Sequence, residues 1–157
     1  MKSVSVILMV LCLGLMGCSG DSGSGSSEPP AFDPTGTWNT RSNQPQPVLM
    51  VTLYLERDPS DHSKIKAQWG SQGDDCFGTG DTNNEYSGSM SGGQIILYLS
   101  NQANGGQMTQ IRATLDGIGE FDSTNPPPSL SGSYEVTRND ANPDCLDRLP
   151  KSVLLDR

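Results

Sequence analysis

The residues whose types could carry chemistry are four cysteines, one histidine and several short acidic turns. Asp140-Ala141-Asn142-Pro143-Asp144 places side-chain oxygens at alternate positions, and Asp140, Asn142 and Asp144 match the first half of a calcium loop. The second half departs from that pattern. Cys145 stands where such a loop needs Gly, and Lys151 where it needs a bidentate Glu. His62 lies between Asp61 and Ser63 in a polar stretch. Neighbours in sequence do not make a catalytic triad, which needs three side chains converging in space. Asp74 with Asp75, and Asp58 with Asp61, are carboxylate pairs of the kind used in glycoside hydrolysis. They are equally the ordinary residues of acidic turns. No complete catalytic or metal-binding constellation emerges, so the expectation is a protein that is not an enzyme and carries no cofactor.

Composition narrows the classes. Of 157 residues, 10 are Lys or Arg and 18 are Asp or Glu, a formal net charge of −8. A phosphate-binding face needs the opposite balance, so nucleic acid is excluded as a partner. Eighteen Gly and 11 Pro interrupt the chain throughout, which excludes a helical bundle. The length suits one small domain.

The first thirty residues read as an address. Lys2 precedes an apolar run from Val4 to Met16. That run is shorter than the ~20 residues a membrane-spanning helix needs, and it suits a secretory leader spanning residues 1–17. It ends in Leu15-Met16-Gly17-Cys18. These four residues resemble the lipobox of bacterial lipoproteins, which implies cleavage before Cys18 and attachment of diacylglycerol, with a further fatty acyl chain such as palmitate on the new amino group. Two or three acyl chains anchor a protein stably, where one does not. Because Ser19 follows, the resemblance implies the outer membrane in a host with two membranes. Residues 18–31 then comprise the lipidated cysteine and a Ser/Gly/Pro tether with a reach of roughly 20 Å.

The domain proper is expected over residues 32–157. With Cys12 lost in the leader and Cys18 acylated, Cys76 and Cys145 remain, and export to an oxidising compartment makes a disulfide between them the default. Such a staple is worth about 4 kcal/mol on the chain-entropy account. Short alternating segments bounded by Gly, Asn, Asp and Pro predict nine or ten strands. They are Gly36 to Arg41, Val48 to Glu56, Lys64 to Trp69, Cys76 to Thr79, Glu85 to Met90, Gln94 to Leu99, Met108 to Leu115, Ile118 to Phe121, Leu130 to Thr137 and Ser152 to Leu155. Leu49, Val51, Leu53 and Leu55 share one face of the second, as Ile65, Ala67 and Trp69 do in the third. Gln94 to Leu99 has little polar alternation, the mark of a strand buried on both faces or of an exposed apolar patch. The segments Tyr86-Ser87-Gly88-Ser89-Met90 and Leu130-Ser131-Gly132-Ser133-Tyr134 echo each other, with mid-strand glycines of the sort that mark bends or close backbone crossings. The pattern predicts an all-β antiparallel meander barrel, with a β-sandwich as the alternative.

Thr35-Gly36-Thr37-Trp38 opens the first strand. Here the chain resembles lipocalin-like domains of bacterial lipoproteins, small barrels that begin with Gly-x-Trp. The resemblance implies that Gly36 and Trp38 pack one barrel end, with Arg138 or Arg157 lying over the indole ring. The aromatic side chains Trp38, Trp69, Tyr54, Tyr86, Tyr98 and Tyr134 are available either as core or as a binding platform. The functional expectation is a lipid-anchored envelope protein with a binding or interaction role. Its partner would be another envelope protein or a small apolar ligand held in the barrel.

Overall fold

Alternation of apolar and polar residues fixes which side of each strand turns inward, and nine strands follow from it. A computed structural model describes residues 30–41, 49–103 and 105–157. Cys18, the leader and most of the tether lie outside these described residues. The strands are β1 (Gly36–Thr40), β2 (Met50–Arg57), β3 (Lys64–Gln72), β4 (Thr79–Asp81), β5 (Gly88–Ser91), β6 (Gln94–Gln102), β7 (Met108–Ile118), β8 (Ser129–Asn139) and β9 (Lys151–Asp156). A short 3-10 turn at Pro143–Cys145 is the sole helical element among the described residues.

All pairings are antiparallel, and strands consecutive in sequence pair with one another except β4 and β5. The sheet closes where β1 meets β9, with Asn39 opposite Asp156 and Thr40 opposite Leu155. β4 and β5 occupy successive halves of one place between β3 and β6. The result is a closed barrel of eight strand positions, not a sandwich. An eight-position barrel has an interior just wide enough for side chains to fill it. Here Trp38, Leu53, Leu55, Ile65, Leu97, Ala113, Leu115 and Leu155 all point inward with essentially no accessible surface. Val51, Ala67, Trp69, Met90, Leu99 and Tyr134 belong to the same cluster.

Several expected boundaries shift, each for a physical reason. Cys76 and Phe77 lie in a loop rather than a strand, because the disulfide and the inward Phe77 ring hold the chain across the barrel end. Glu85, Tyr86 and Ser87 belong to an outward excursion between β4 and β5. Ile118 ends β7 instead of opening another strand, and Gly119 turns the chain with φ of 98°. β6 has one inward face, Ile95, Leu97 and Leu99, while Tyr98 faces out, so neither alternative for Gln94 to Leu99 holds along its whole length.

The echoed glycines earn their places by close approach. A Cβ on Gly88 would lie 2.8 Å from Leu97 Cδ2 and 3.0 Å from the Ile65 carbonyl oxygen. One on Gly132 would collide with the Thr114 carbonyl and sit 2.9 Å from Leu115 Cα. Backbone cannot yield there without parting β7 from β8. Gly132→Ala is therefore expected to destabilise the domain by about 3 kcal/mol, as overpacking does when the neighbour is backbone. Gly78→Ala, with nothing within 4 Å of the added carbon, should change stability by less than about 0.5 kcal/mol. Urea unfolding of the two variants checks the contrast.

Candidate functional site

The two ends of the barrel are closed by different chemistry. At the end where the chain enters, the Trp38 indole nitrogen donates to the Pro34 carbonyl at 2.9 Å. Arg157 lies over the Trp38 ring, 5.6 Å from its centroid, and also donates to the Thr35 carbonyl. Gly36 has φ of 140°, and a Cβ there would meet the Arg157 guanidinium at 3.2 Å, so glycine is what lets the arginine reach the ring. Of the two arginines considered, Arg157 holds this place. Arg138 instead grips both oxygens of Asp140 at 2.8 and 2.9 Å. Phe32 and Phe121 pack edge to face at 5.1 Å across the same end.

The opposite end is held by the Cys76–Cys145 disulfide, with Cα atoms 5.7 Å apart. It ties the loop after β3 to the loop before β9. Beneath it the Asp74 side chain is fully buried. Its carboxylate accepts from Lys151 Nζ at 2.5 Å, from the Cys76 amide at 2.9 Å and from the Tyr134 hydroxyl. Burial works against ionisation of Asp74, but these three donors hold its carboxyl below the ordinary range. Burial, and then the Asp74 charge, push the Tyr134 phenol well above its usual value. Asn139 fastens the next loop: it donates to the Cys76 carbonyl at 3.0 Å and accepts from the Ala141 and Asn142 amides.

These contacts locate the remaining candidates. Asp140 is occupied by Arg138 and by the Met108 amide at 2.9 Å. Asp144 is exposed in the 3-10 turn. The Asp140–Asn142–Asp144 loop is thus organised by Asn139 and an arginine. Asp74, Asp75 and Cys76 cluster closely enough to suggest a metal site. The Cys76 sulfur is spent in the disulfide, Asp74 is paired with Lys151, and Asp75 is paired with Arg148 at 2.7 Å. His62 is exposed. Asp61 accepts from Ser63 and pairs with Lys64 at 3.3 Å, and Asp58 accepts from the Ser60 amide, so both carboxylates shape the β2–β3 turn.

The outer wall carries the remaining feature. Between β4 and β5 the chain leaves the sheet through residues 82–87, and Asn83 and Asn84 adopt left-handed φ values of 53° and 62°. Thr82 anchors this excursion: buried, it exchanges bonds with Ala67, with its amide donating to the Ala67 carbonyl and its hydroxyl accepting from the Ala67 amide, both at 3.1 Å. The Asp81 carboxylate takes the Asn83 amide at 2.6 Å. Two clefts of about 250 and 310 Å³ flank the break and share Asn83 and Ser100. Tyr98, 56% exposed, stands beside the first. Trp69 lines the second. Of the six aromatic residues considered, Trp38, Trp69 and Tyr134 are core, Tyr54 and Tyr98 face out, and Tyr86 is half-buried with its hydroxyl on Glu56 at 2.6 Å. That bond raises the Tyr86 phenol to about 12.

Sequence reasoning did not identify the Asp74–Lys151–Tyr134 network, whose members lie far apart in the chain. The Asn83-Asn84 pair was a legible sign of left-handed backbone, since Asn tolerates it better than most residues. No known family matches the chain, and neither a characterised protein nor a solved structure matches it. Among the described residues no helix is long and apolar enough to cross a membrane.

Asp74 gives an acid-stability prediction with a definite sign. Its carboxyl is depressed on folding, so its contribution is complete above the unfolded value of about 3.9 and is lost as pH falls through the folded value. Asp74→Asn should cost about 2 kcal/mol at pH 7 through weakened charged hydrogen bonds, and should flatten the loss of stability below about pH 4. Urea midpoints measured from pH 7 down to pH 2 for both proteins test this. Equal slopes on the acid limb would show that Asp74 does not supply it.

Proposed function

We propose that this protein is a lipid-anchored component of a bacterial cell envelope, acylated at Cys18, and that its lipocalin-like barrel works by binding through its outer surface rather than by catalysis. The observation that carries the reading is the filled interior. Inward side chains from every strand position meet with almost no accessible surface, so a partner is met on the wall or at the loops. This favours an interaction module over a carrier of an apolar ligand in the lumen. The Gly36–Trp38–Arg157 arrangement supports the lipocalin-like resemblance.

The anchor supplies an orientation. The described chain begins at Pro30, and Ala31 bonds to the Gly92 carbonyl at the end holding Trp38 and Arg157. A tether from Cys18 would therefore join the barrel at that end. The disulfide end projects outward, with Leu149 at its rim 88% exposed. The outer wall stands between them, open to other envelope components.

The full chain expressed in a bacterium fed an alkyne fatty acid is expected to take up the label and sediment with membranes. Cys18→Ser should lose the label and leave the membrane fraction. A labelled Cys18→Ser variant, or an unlabelled wild type, would sink the anchor. Native mass spectrometry of the same preparation is expected to show the protein without a co-purified apolar ligand. A stoichiometric lipid released only on unfolding would place the binding site inside the barrel instead.

A further inference from the structure

The segment between β8 and β9 displays apolar side chains in a way that its own folding does not call for. Leu149 is 88% exposed and Leu146 46% exposed, and Leu149 is the most exposed large apolar side chain among the described residues. A single surface leucine is ordinary. Two within four residues, on a segment tied down on each side of Leu149, are a different matter. Cys145 is bonded to Cys76. Arg148 grips both oxygens of Asp75 at 2.7 and 3.0 Å. Lys151 holds the buried carboxylate of Asp74. Leu149 and Pro150 thus bridge two cations clamped to adjacent acids of one loop, and Pro150 fixes its own φ. These contacts, rather than any packing of its own, hold Leu149 out from the barrel.

The free charge beside these leucines has one sign. Arg138, Arg148 and Lys151, the cations of this stretch, are paired with Asp140, Asp75 and Asp74. Asp144 and Asp147 are exposed, and their carboxylates make no hydrogen bond or ion pair among the described residues. Asp144, Leu146, Asp147 and Leu149 therefore set two free carboxylates among two exposed leucines. The chain as a whole carries −8, which draws a cationic surface toward it and opposes an anionic membrane or a second copy of itself. An apolar centre with a polar, charged rim is the anatomy of a protein–protein interface. A side chain already fixed where a partner needs it loses little freedom on binding.

We propose that this loop is a docking site for a basic protein, with Leu149 entering an apolar pocket on the partner and Asp144 and Asp147 meeting Lys or Arg at the rim of that pocket. The assignment deepens the surface-binding reading above, giving it a place and a class of partner, and it rests on that reading. The disulfide and the two ion pairs then have a second role: they shape the displayed loop as well as close the barrel end.

The test replaces Leu149 with the photoreactive residue p-benzoylphenylalanine in the full chain, disulfide intact, and irradiates living cells of the bacterium that makes it. The photoreactive side chain is itself the probe, so the partner need not be known beforehand. One discrete protein with an excess of Lys and Arg is expected to be trapped. The same photoreactive residue in place of Thr52, on the outer wall, should not trap it. Adding Asp144→Asn and Asp147→Asn should cut the yield about tenfold. With the trapped protein then purified, Leu149→Ala should weaken its binding about tenfold or more, and Leu149→Met should retain most of the affinity by keeping the apolar volume. Salt at about 0.5 M should weaken binding as well. The urea midpoint of Leu149→Ala should match the wild type, because the side chain packs on nothing in the barrel. No trapped protein, a trapped second copy or lipid, equal trapping from position 52, or binding that ignores both salt and Leu149→Ala would overturn the site. A chain acylated at Cys18 that traps nothing at position 149 would lose this docking site and keep the anchored role. Trapping by a chain that carries no acyl group would keep the docking site and lose the anchor.

Discussion

The barrel closes on two register pairs between β1 and β9, and side chains carry much of what so short a seam cannot. Arg41 grips both oxygens of Asp156 at 2.8 and 3.0 Å, and Ser129 accepts from Arg41 and donates to the same carboxylate. One residue further on, Arg157 lies over Trp38 and bonds to the Thr35 carbonyl. Individually, surface ion pairs are weak. Here they join three strands, and the indole beneath them is fully buried. Without closure the inward faces of β1 and β9 would have no opposing wall, and Trp38 would lose the packing that makes it a core residue. Closure in turn limits the radius, and the radius requires a solid interior.

A solid interior sets the demands met elsewhere. Strands must pass close together, which is why Gly132 and Gly88 stand where any side chain would strike backbone. Both ends must be covered, and they are covered unequally. The lead-in end relies on ring packing, Phe32 on Phe121, and on the cation over Trp38. The other end relies on a covalent bond and a buried carboxylate with three donors. Loops are longer there, so a staple between residues 76 and 145 removes more freedom from the unfolded chain than a short link would.

The alternation of Val51, Leu53 and Leu55, and of Ile65, Ala67 and Trp69, was enough to read an antiparallel barrel and its inward faces, because a period of two leaves little ambiguity once one face is apolar. The disulfide was legible by elimination among four cysteines. The interrupted strand was not. Residues 82–87 are polar and short, and nothing local distinguishes a loop joining two strands from an excursion within a single strand position. Only the pairing of both β4 and β5 with β3 and β6 reveals it. Asp74 was read as one of two acids in a turn. Its burial depends on Tyr134 and Lys151, sixty and more residues away, and no pattern within one segment could report that.

The interruption is also where function has room to arise. In a barrel whose interior is full, specific recognition must come from the wall or the ends, and a regular wall offers only alternating side chains on a smooth surface. Breaking one strand position lifts six residues off that surface. At that position β4 and β6 share a single register pair, Asp81 opposite Ser100. The cost is a weaker ladder at that point and two asparagines in left-handed backbone. Thr82, buried and bonded to Ala67, offsets part of it.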